Sequence, residues 1–425
     1  MTKRRAPRIR IPVGILSAVV ALGVLVSGAA GAAAGSAPRY FGVIDAGSSG
    51  SRVGLYELRG TGPRLTATVV HFYNPNDDGG PGIEGLSSFV ATPERAGPDG
   101  IAPLLTDLDG VLAQRGIAKA DVPMTVLATA GMRNVERDDP AAVGPIYASV
   151  RSAVEAAGYP IAEVGTMPGR DEALYTWVAV NSLTGALRRG TRTTGIAQVA
   201  FETPDAGKGI GTRRVMGRRY RLFMVSYLGL GRNDARATMI PADASTVGSP
   251  CWPNNAAGVA PATYALGNKV AVAANPSSYD LPTCTDVAIT AIDATVARSE
   301  NAGLVRPTAI RRLSGFSATR FVGIDKLTEV YEEFGVGFGR TVGGRLHDAI
   351  DASCSGPDAW PRVLALHAGE DSSTSENGCA NATFVHTWLF SPDALGLRAR
   401  QIDPEFEIDG TTLTWTLGYA IVAGS

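Results

Sequence analysis

Residues 40–58 read YFGVIDAGSSGSRVGLYEL, and this stretch decides the fold. The apolar residues 40–44 and the alternating residues 53–58 predict two strands. Residues 47–50 between them are all glycine or serine, which suits a tight turn. We therefore predict a hairpin whose tip carries small hydroxyl side chains and accessible backbone N–H groups.

The tip of this hairpin has the chemistry of a phosphate site, because backbone N–H groups, serine hydroxyls and a nearby guanidinium can all donate to an anion. Asp45, at the end of the first strand, is placed to hold a divalent cation through water, as phosphoryl-transfer sites require. The alternative is a plain turn beside a solvated aspartate. The residues expected to bind phosphate here are Gly47, Ser48, Ser49, Gly50, Ser51 and Arg52.

Strands, helices and hairpins alternate through the rest of the chain, which predicts an α/β protein. Residues 124–131 (MTVLATAG) have the apolar character of a buried strand. Helical periodicity covers residues 102–115, 141–157 and 171–183. Near the end of the chain, residues 412–423 (TLTWTLGYAIVA) have the pattern of a further strand.

The composition limits the class of protein. The chain has 425 residues, 45% hydrophobic and 19% charged, which indicates globular structure and leaves room for two domains. The formal net charge is −1, so no overall attraction to nucleic acid is expected, and no nucleic-acid partner is predicted. Five arginines between positions 213 and 221 are a local exception. We expect them to form a solvated hairpin face, with attraction of a polyanion as the alternative.

The first 36 residues have the layout of an export signal. Basic residues precede an apolar run at 11–26, which is followed by small residues up to about residue 36. The small residues suit a signal peptidase, whereas the length of the apolar run would also allow an uncleaved membrane anchor. We therefore expect a secreted protein, or a cell-surface protein whose only membrane contact is this segment.

The cysteines indicate disulfides and not a zinc site. An even number of cysteines in an exported chain indicates two bridges, and no CxxC spacing is present. The simplest pairing joins Cys251 to Cys284 and Cys354 to Cys379, although two other connectivities stay open. The four histidines have no metal-ligand spacing and are expected at the surface or in the core: His71, His347, His367 and His386.

Two further motifs follow the hairpin. LATAGMR, at 127–133, places small residues and an arginine after a strand, and GRDEALYTW, at 169–177, opens a helix with two carboxylates. Together with the hairpin, these motifs resemble the first three apyrase-conserved regions of the GDA1/CD39 family of nucleoside phosphatases, in the same order. Shorter downstream segments also resemble that family, at 226–236, 249–253, 313–316 and 415–418.

The resemblance implies two actin-like (RNase H-like) domains with the active site in the cleft between them. The expected boundaries are 37–183 for the first domain, to which about 395–425 returns, and 184–394 for the second. The implied reaction is hydrolysis of the terminal phosphate of a nucleoside di- or triphosphate, with Mg²⁺ or Ca²⁺ as cofactor.

The resemblance also assigns roles to single residues. Glu172 would be the general base that deprotonates the attacking water. Its alternative role is that of a solvated glutamate stabilised by the helix dipole. Asn181 is expected to fix its helix and not to touch the substrate. Phosphate or water would be bound by Thr129, Ala130, Gly131 and Arg133.

The fourth region departs from the family pattern, in which a second glycine-rich hairpin tip grips phosphate. Residues 193–202 here read TTGIAQVAFE, so the strands remain while several tip residues are missing. No Gly, Asn, Asp or Ser stands at the junction to make a tight turn. We expect the second phosphate clamp and its acidic ligand to be absent, with activity reduced or replaced by nucleotide binding or an interaction role. Residues 207–212 (GKGIGT) are expected to be a hairpin loop and not a substitute clamp.

Overall fold

The structure is a computed structural model. Residues 1–36, which contain the predicted export signal, lie outside the described part of the chain, as does Pro253 of the 249–253 segment. The described residues are 37–76, 82–240, 249–252, 259–263, 269–273, 279–339, 342–356, 358–368 and 372–425.

Strands and helices alternate as predicted. The strands are β1 Arg39–Ala46, β2 Ser51–Arg59, β3 Thr66–Tyr73, β4 Met124–Ala128, β5 Ile161–Thr166, β6 Gly195–Ile196, β7 Ala200–Glu202, β8 Ile210–Val215, β9 Arg218–Met224, β10 Val259–Thr263, β11 Lys269–Ala273, β12 Phe321–Gly323, β13 Ile402–Pro404, β14 Glu407–Ile408 and β15 Thr411–Thr412. The helices are α1 Ala96–Gly100, α2 Ala102–Arg115, α3 Ala130–Asp138, α4 Pro140–Ala156, α5 Gly169–Leu183, α6 Ala186–Arg189, α7 Arg232–Thr238, α8 Leu281–Val296, α9 Pro307–Ile310, α10 Lys326–Glu333, α11 Leu346–Cys354, α12 Ala359–Leu366, α13 Ser372–Phe390 and α14 Trp415–Gly424.

The first sheet has the strand order β3-β2-β1-β4-β5. Strands β1 and β2 form the predicted hairpin, whose last pair is Ala46 with Ser51. Strands β4 and β5 run parallel to β1, and α3 and α4 make the crossover between them that parallel pairing requires. The sheet therefore combines an antiparallel meander with parallel strands.

The second sheet repeats this arrangement in the order β13-β12-β6-β7-β9-β8. Strands β6, β7 and β9 are antiparallel neighbours, β12 and β13 run parallel to β6, and β8 is added at the edge. The duplicated α/β arrangement is the actin-like fold that the family resemblance implied.

Three apolar layers hold the two sheets and their helices together. One lies between the first sheet and helices α1–α4, and one lies on the outer face of the second sheet, where Phe201 and Phe223 point. The third lies between the sheets around Trp177 of α5 and takes side chains from both, including Leu222. Because side chains alternate along a strand, Leu222 and Phe223 face different layers. Residues Ala37–Ser425 form one compact unit, and the domain boundaries stay a prediction.

The C-terminal segment is a helix, so the predicted strand over 412–423 is wrong beyond Thr412. Helix α14 begins after Thr414, whose side chain accepts a hydrogen bond from the Thr416 backbone. It is buried against α5, and a methyl group at Gly418 would lie 1.8 Å from the Tyr175 carbonyl oxygen. Helices and strands are told apart by the spacing of apolar and polar residues. A segment that is almost wholly apolar shows neither the helical nor the strand spacing, which explains the error.

The disulfides follow the simplest predicted pairing. Cys251 is bonded to Cys284, with Cα atoms 4.8 Å apart, and Cys354 to Cys379, with Cα atoms 5.9 Å apart. In the described ranges no helix combines the length and apolar character needed to cross a membrane.

The five arginines between 213 and 221 lie on the β8–β9 hairpin, where their side chains are exposed or half-exposed as predicted. The GKGIGT segment is not a loop between paired strands. Residues 207–209 form a turn, with the Ile210 N–H donating to the Gly207 carbonyl, and the segment then enters β8. Since β8 pairs with β9 and not with β7, the predicted hairpin loop is wrong.

Candidate active site

The first two motifs meet at one edge of the first sheet. Asp45 lies opposite Leu127 in the parallel β1–β4 pair, so both strands end at the same level. The carboxyl ends of parallel strands are where α/β proteins bind ligands. Ala130 and Gly131 open α3, and a methyl group at Gly131 would lie 3.0 Å from Ser48 Cβ. The start of α3 therefore packs against the hairpin tip.

The tip presents two of its three serines to solvent. Ser48 and Ser49 are exposed, whereas Ser51 is buried and its hydroxyl has no hydrogen-bond partner among the described residues. Asn76 supports the tip from the following loop, since its amide donates to the Ser49 carbonyl (3.3 Å) and accepts from the Ile83 N–H (3.0 Å). No sequence motif points to Asn76, because its side chain reaches the tip only in the folded chain.

Asp45 is a buried carboxylate, 5% exposed. Its Oδ2 atom lies 3.1 Å from Arg52 Nε. The pKa of Asp45 is raised to about 6, mainly by burial; Arg52 opposes the rise, and the charges of Glu172 and Asp325 contribute to it. The Trp415 indole lowers this pKa slightly, without a hydrogen bond of normal geometry. The Oδ1 atom has no hydrogen-bond partner in the described part of the chain, so it is available to a ligand.

Glu172 lies in the first turn of α5, next to the second motif. Its Oε2 atom accepts a hydrogen bond from Arg133 Nη2 at 3.0 Å. A methyl group at Gly169 would lie 2.0 Å from Arg133 Nη1 and 2.5 Å from Ser226 Oγ, so only glycine fits at this crossing. The structure thus brings together the second and third motifs and the start of the 226–236 segment.

Asn181 joins helix α5 to the segment that enters the second sheet. Its amide donates to the Trp177 and Thr194 carbonyls and accepts from the Thr194 N–H, with distances of 2.8–2.9 Å. The side chain is fully buried. It therefore fixes α5 to the segment that enters β6, as the sequence analysis expected.

Helix α3 also contacts residues that come after strand β9 of the second sheet. The Asn134 amide donates to Asp234 at 3.0 Å, and Arg137 pairs with Glu300 at 2.9 Å. Thr129, immediately before this helix, is 7% exposed. The second motif therefore lines the boundary between the two sheets.

The shortened fourth region does form a hairpin, contrary to the prediction that its junction could not turn. Ile196 pairs with Ala200 across a three-residue connection, 197–199. Tertiary contacts hold this turn: the Trp388 indole donates to the Ala197 carbonyl (3.3 Å) and the Gln198 amide donates to the Ile324 carbonyl (2.7 Å). Turn-forming residues are not needed where neighbouring elements fix the backbone.

Asp325 is a site residue that the sequence analysis missed. It follows β12, and its charge interacts with those of Asp45 and Arg52. Burial among protein atoms raises the pKa of Asp325, but the charges of Lys326, Arg52 and Arg232 outweigh it and lower the pKa overall. The residue is nonetheless exposed to solvent. The pentapeptide FVGID at 321–325, so close to FGVID at 41–45, was the signal that could have found it.

A cation would have to be held here largely through water. Within the described residues, no group of three or more His, Cys, Asp or Glu could hold a metal ion. Mg²⁺ is commonly bound by one or two carboxylates, several waters and substrate phosphates. The free, buried Oδ1 of Asp45 fits that kind of site.

Comparison with known proteins gives the family. The model of the GDA1/CD39 (nucleoside phosphatase) family matches residues 33–424. The chain belongs to this family. Among curated relatives, ectonucleoside triphosphate diphosphohydrolase 2 of Rattus norvegicus is 23% identical, over 89% of this chain and 81% of the relative. The guanosine-diphosphatase of Schizosaccharomyces pombe is 30% identical, over 47% of this chain and 37% of the relative.

A solved structure supports the same fold. The nucleoside triphosphate hydrolase structure from Neospora caninum has a TM-score of 0.58 and 15% sequence identity, covering 91% of this chain and 92% of that chain. At this identity the likeness concerns the fold alone. Membership of the GDA1/CD39 family makes the chain a nucleoside phosphatase, a hydrolase of nucleoside tri- or diphosphates.

Proposed function

We propose that this protein is an exported nucleoside di- or triphosphate phosphohydrolase in which Glu172 acts as general base for the attack of water on the terminal phosphate. One observation carries the proposal: Glu172 lies 3.0 Å from Arg133, at the sheet edge that also holds Asp45 and the serine tip. The basic and apolar N-terminal segment and the two disulfides support export.

The hairpin tip and the start of α3 bind phosphate in this proposal. Ser48 and Ser49 offer exposed hydroxyls, and the backbone N–H groups of residues 47–51 and 129–131 offer further donors. Arg52 adds a fixed positive charge beside Asp45. These groups neutralise and orient the phosphate chain before the reaction.

Asp45 would hold Mg²⁺ or Ca²⁺ through water, since its Oδ1 atom has no hydrogen-bond partner in the described part of the chain. When bound, the cation neutralises charge that develops on the phosphate oxygens. Arg52 pairs with the other oxygen of this carboxylate, Oδ2, and so keeps the Asp45 side chain in place.

Glu172 accepts the proton of the attacking water. Arg133 donates to one carboxylate oxygen, Oε2, which leaves Oε1 to receive the water proton. The ion pair therefore fixes the orientation of the base. A positioned general base typically contributes about 10²–10⁴-fold in rate.

The activity is expected to be low, because the second tip consists only of residues 197–199. Loss of a single transition-state donor costs on the order of 2.7–4 kcal/mol, and loss of a whole tip should cost more. The same short turn favours one alternative, a catalytically inactive nucleotide-binding or interaction module on this scaffold.

The test is phosphate release from ATP, ADP and other nucleotides, with Mg²⁺ or Ca²⁺, by the wild type and by Glu172→Ala. The proposal predicts a loss of about 10²–10⁴-fold. Asp171→Asn, a change at the neighbouring carboxylate whose nearest cation is 3.8 Å away, is the matched control and should keep most activity. Equal background release from wild type and Glu172→Ala would favour the inactive module.

A further inference from the structure

The short 197–199 turn leaves the second sheet without a glycine-rich tip, but not without a carboxylate at that position. Strand β12 runs parallel to β6, with Val322 opposite Ile196, so both strands end at the same edge. The Ala197 N–H donates to the Val322 carbonyl at 3.0 Å. Asp325 comes two residues after the end of β12, next to Ile324, whose carbonyl accepts a hydrogen bond from the Gln198 side chain of the shortened turn.

Asp325 is held in an unusual backbone conformation at this edge. Its φ is +50°, a region that residues other than glycine seldom adopt. Its carbonyl accepts hydrogen bonds from the N–H groups of Thr328 and Glu329, which fix the start of α10. Strained backbone positions of this kind cluster at functional sites.

The nearby cations are occupied by other carboxylates. Arg232 pairs with Glu329 at 3.0 Å and with Glu333 at 2.9 Å, and Lys326 also pairs with Glu329. In the described part of the chain no cation lies within ion-pair distance of the Asp325 carboxylate. The Asp325 carboxylate is therefore exposed and has no ion-pair partner there, although it accepts a hydrogen bond from the Lys326 backbone N–H.

The charge of Asp325 reaches Asp45, which is buried and has one oxygen without a hydrogen-bond partner. The charges of Asp45 and Asp325 repel each other, and Arg52 attracts both. Two carboxylates whose charges interact, one of them exposed and the other with an unpartnered buried oxygen, suit a hydrated divalent cation.

We infer that Asp325 is the second acidic ligand of the hydrated divalent cation, facing Asp45 from the second sheet and replacing the group that the shortened turn lacks. The inference rests on the proposed cation-assisted hydrolysis, but it concerns cation binding and not turnover. Asp325 binds the cation through water, so its loss weakens binding without abolishing it.

The experiment measures Mn²⁺ affinity by electron paramagnetic resonance, with a non-hydrolysable nucleotide analogue present, for the wild type and Asp325→Asn. Outer ligands typically contribute about 10–100-fold to metal affinity, and a loss in that range is expected. Asp409→Asn is the matched control, since Asp409 is an exposed aspartate with φ +51° in the β14–β15 turn. The Mn²⁺ affinity of the Asp409→Asn variant should equal that of the wild type.

Equal Mn²⁺ affinity in the wild type and Asp325→Asn, including no binding by either, would overturn the inference. If Asp325→Asn does not fold, judged by its melting curve, Asp325→Ser replaces it and the same criterion applies. Cation binding that depends on Asp325 in a protein that releases no phosphate would refute the hydrolase proposal while leaving this inference intact.

Discussion

Arg133 Nη2 lies 3.0 Å from Glu172 Oε2, and this ion pair joins the second motif to the third. Both side chains are largely shielded from solvent, with 15% and 31% of their surfaces exposed. The carboxylate is therefore held by a contact that the enzyme makes before any substrate binds. Such a contact makes the two residues act as a unit.

A double-mutant cycle on Arg133→Ala and Glu172→Gln should be strongly non-additive. Glu172→Gln should lower kcat/KM for ATP by about 10²–10⁴-fold. The double variant should lose much less than the product of the two single losses, because Arg133 acts partly by orienting Glu172. Arg137→Ala, which removes an arginine one turn later on α3, serves as the control. Multiplicative losses would show that the residues act independently.

The cation should stabilise the protein in a pH-dependent way. Burial raises the pKa of Asp45 to about 6 from 3.8, so the charged form is lost as the pH falls through about 6. The rise in Tm caused by Mg²⁺ should be full near pH 7.5 and small near pH 5, as linkage requires. Without cation the sign is opposite, since a raised carboxyl pKa costs stability as the pH rises from about 4 to about 6.

Scanning calorimetry at the two pH values, with and without Mg²⁺, makes this measurement. Asp45→Asn should remove the Mg²⁺ effect at both. A Tm increase that is the same at pH 5 and pH 7.5 would contradict the role given to Asp45.

Gly418→Ala should disturb both stability and activity. A methyl group there would meet the Tyr175 carbonyl oxygen at 1.8 Å, which forces α14 away from α5, the helix that carries Glu172. Overpacking of this kind costs about 1–3 kcal/mol or more. Gly110→Ala in α2 is the control, since no atom lies within 4 Å of its added methyl. That variant should gain about 0.5–1 kcal/mol. Urea unfolding and phosphate release measure the two effects.

The first hairpin could be predicted from the sequence because its structure is local. Small residues at 47–50 favour the turn whatever surrounds them, and the flanking strands show their own alternation. Helix α5, whose first turn carries Glu172, could be predicted for the same reason. Motifs whose chemistry and backbone geometry are both local were placed correctly.

The remaining features depend on contacts between distant segments. The 197–199 turn is fixed by Trp388 and by the Ile324 carbonyl, neither of which a local pattern reveals. Helix α14 is apolar on its partly exposed face (Tyr419, Val422 and Ala423) as well as on its buried face, so its sequence carries no amphipathic period. Asp325 joins the site only because β12 pairs with β6 in register.

The His386 side chain should make the protein sensitive to acid. Burial and, to a smaller extent, the charge of His347, whose ring centroid is 5.3 Å away, together lower the pKa of His386 to about 4. A depressed histidine pKa means that stability is full above the ordinary value of 6.5 and is lost as the pH falls toward 4. His386→Phe should reduce that loss by about 1–3 kcal/mol. Urea unfolding of the wild type and the variant near pH 7 and near pH 4 measures this loss of stability. The same pH dependence in both proteins would contradict the role given to His386.

Restoring a glycine-rich tip between Ala197 and Gln198 should raise phosphate release substantially. The two anchors of the turn, at the Ala197 carbonyl and the Gln198 amide, flank the insertion point and can remain. Recovered phosphate donors should give on the order of 10²–10³-fold in kcat. An equal insertion in the exposed turn at Asp409 and Gly410 controls for chain length. If the 197–198 insertion leaves kcat unchanged while the protein stays folded, the short turn is not what limits the wild type.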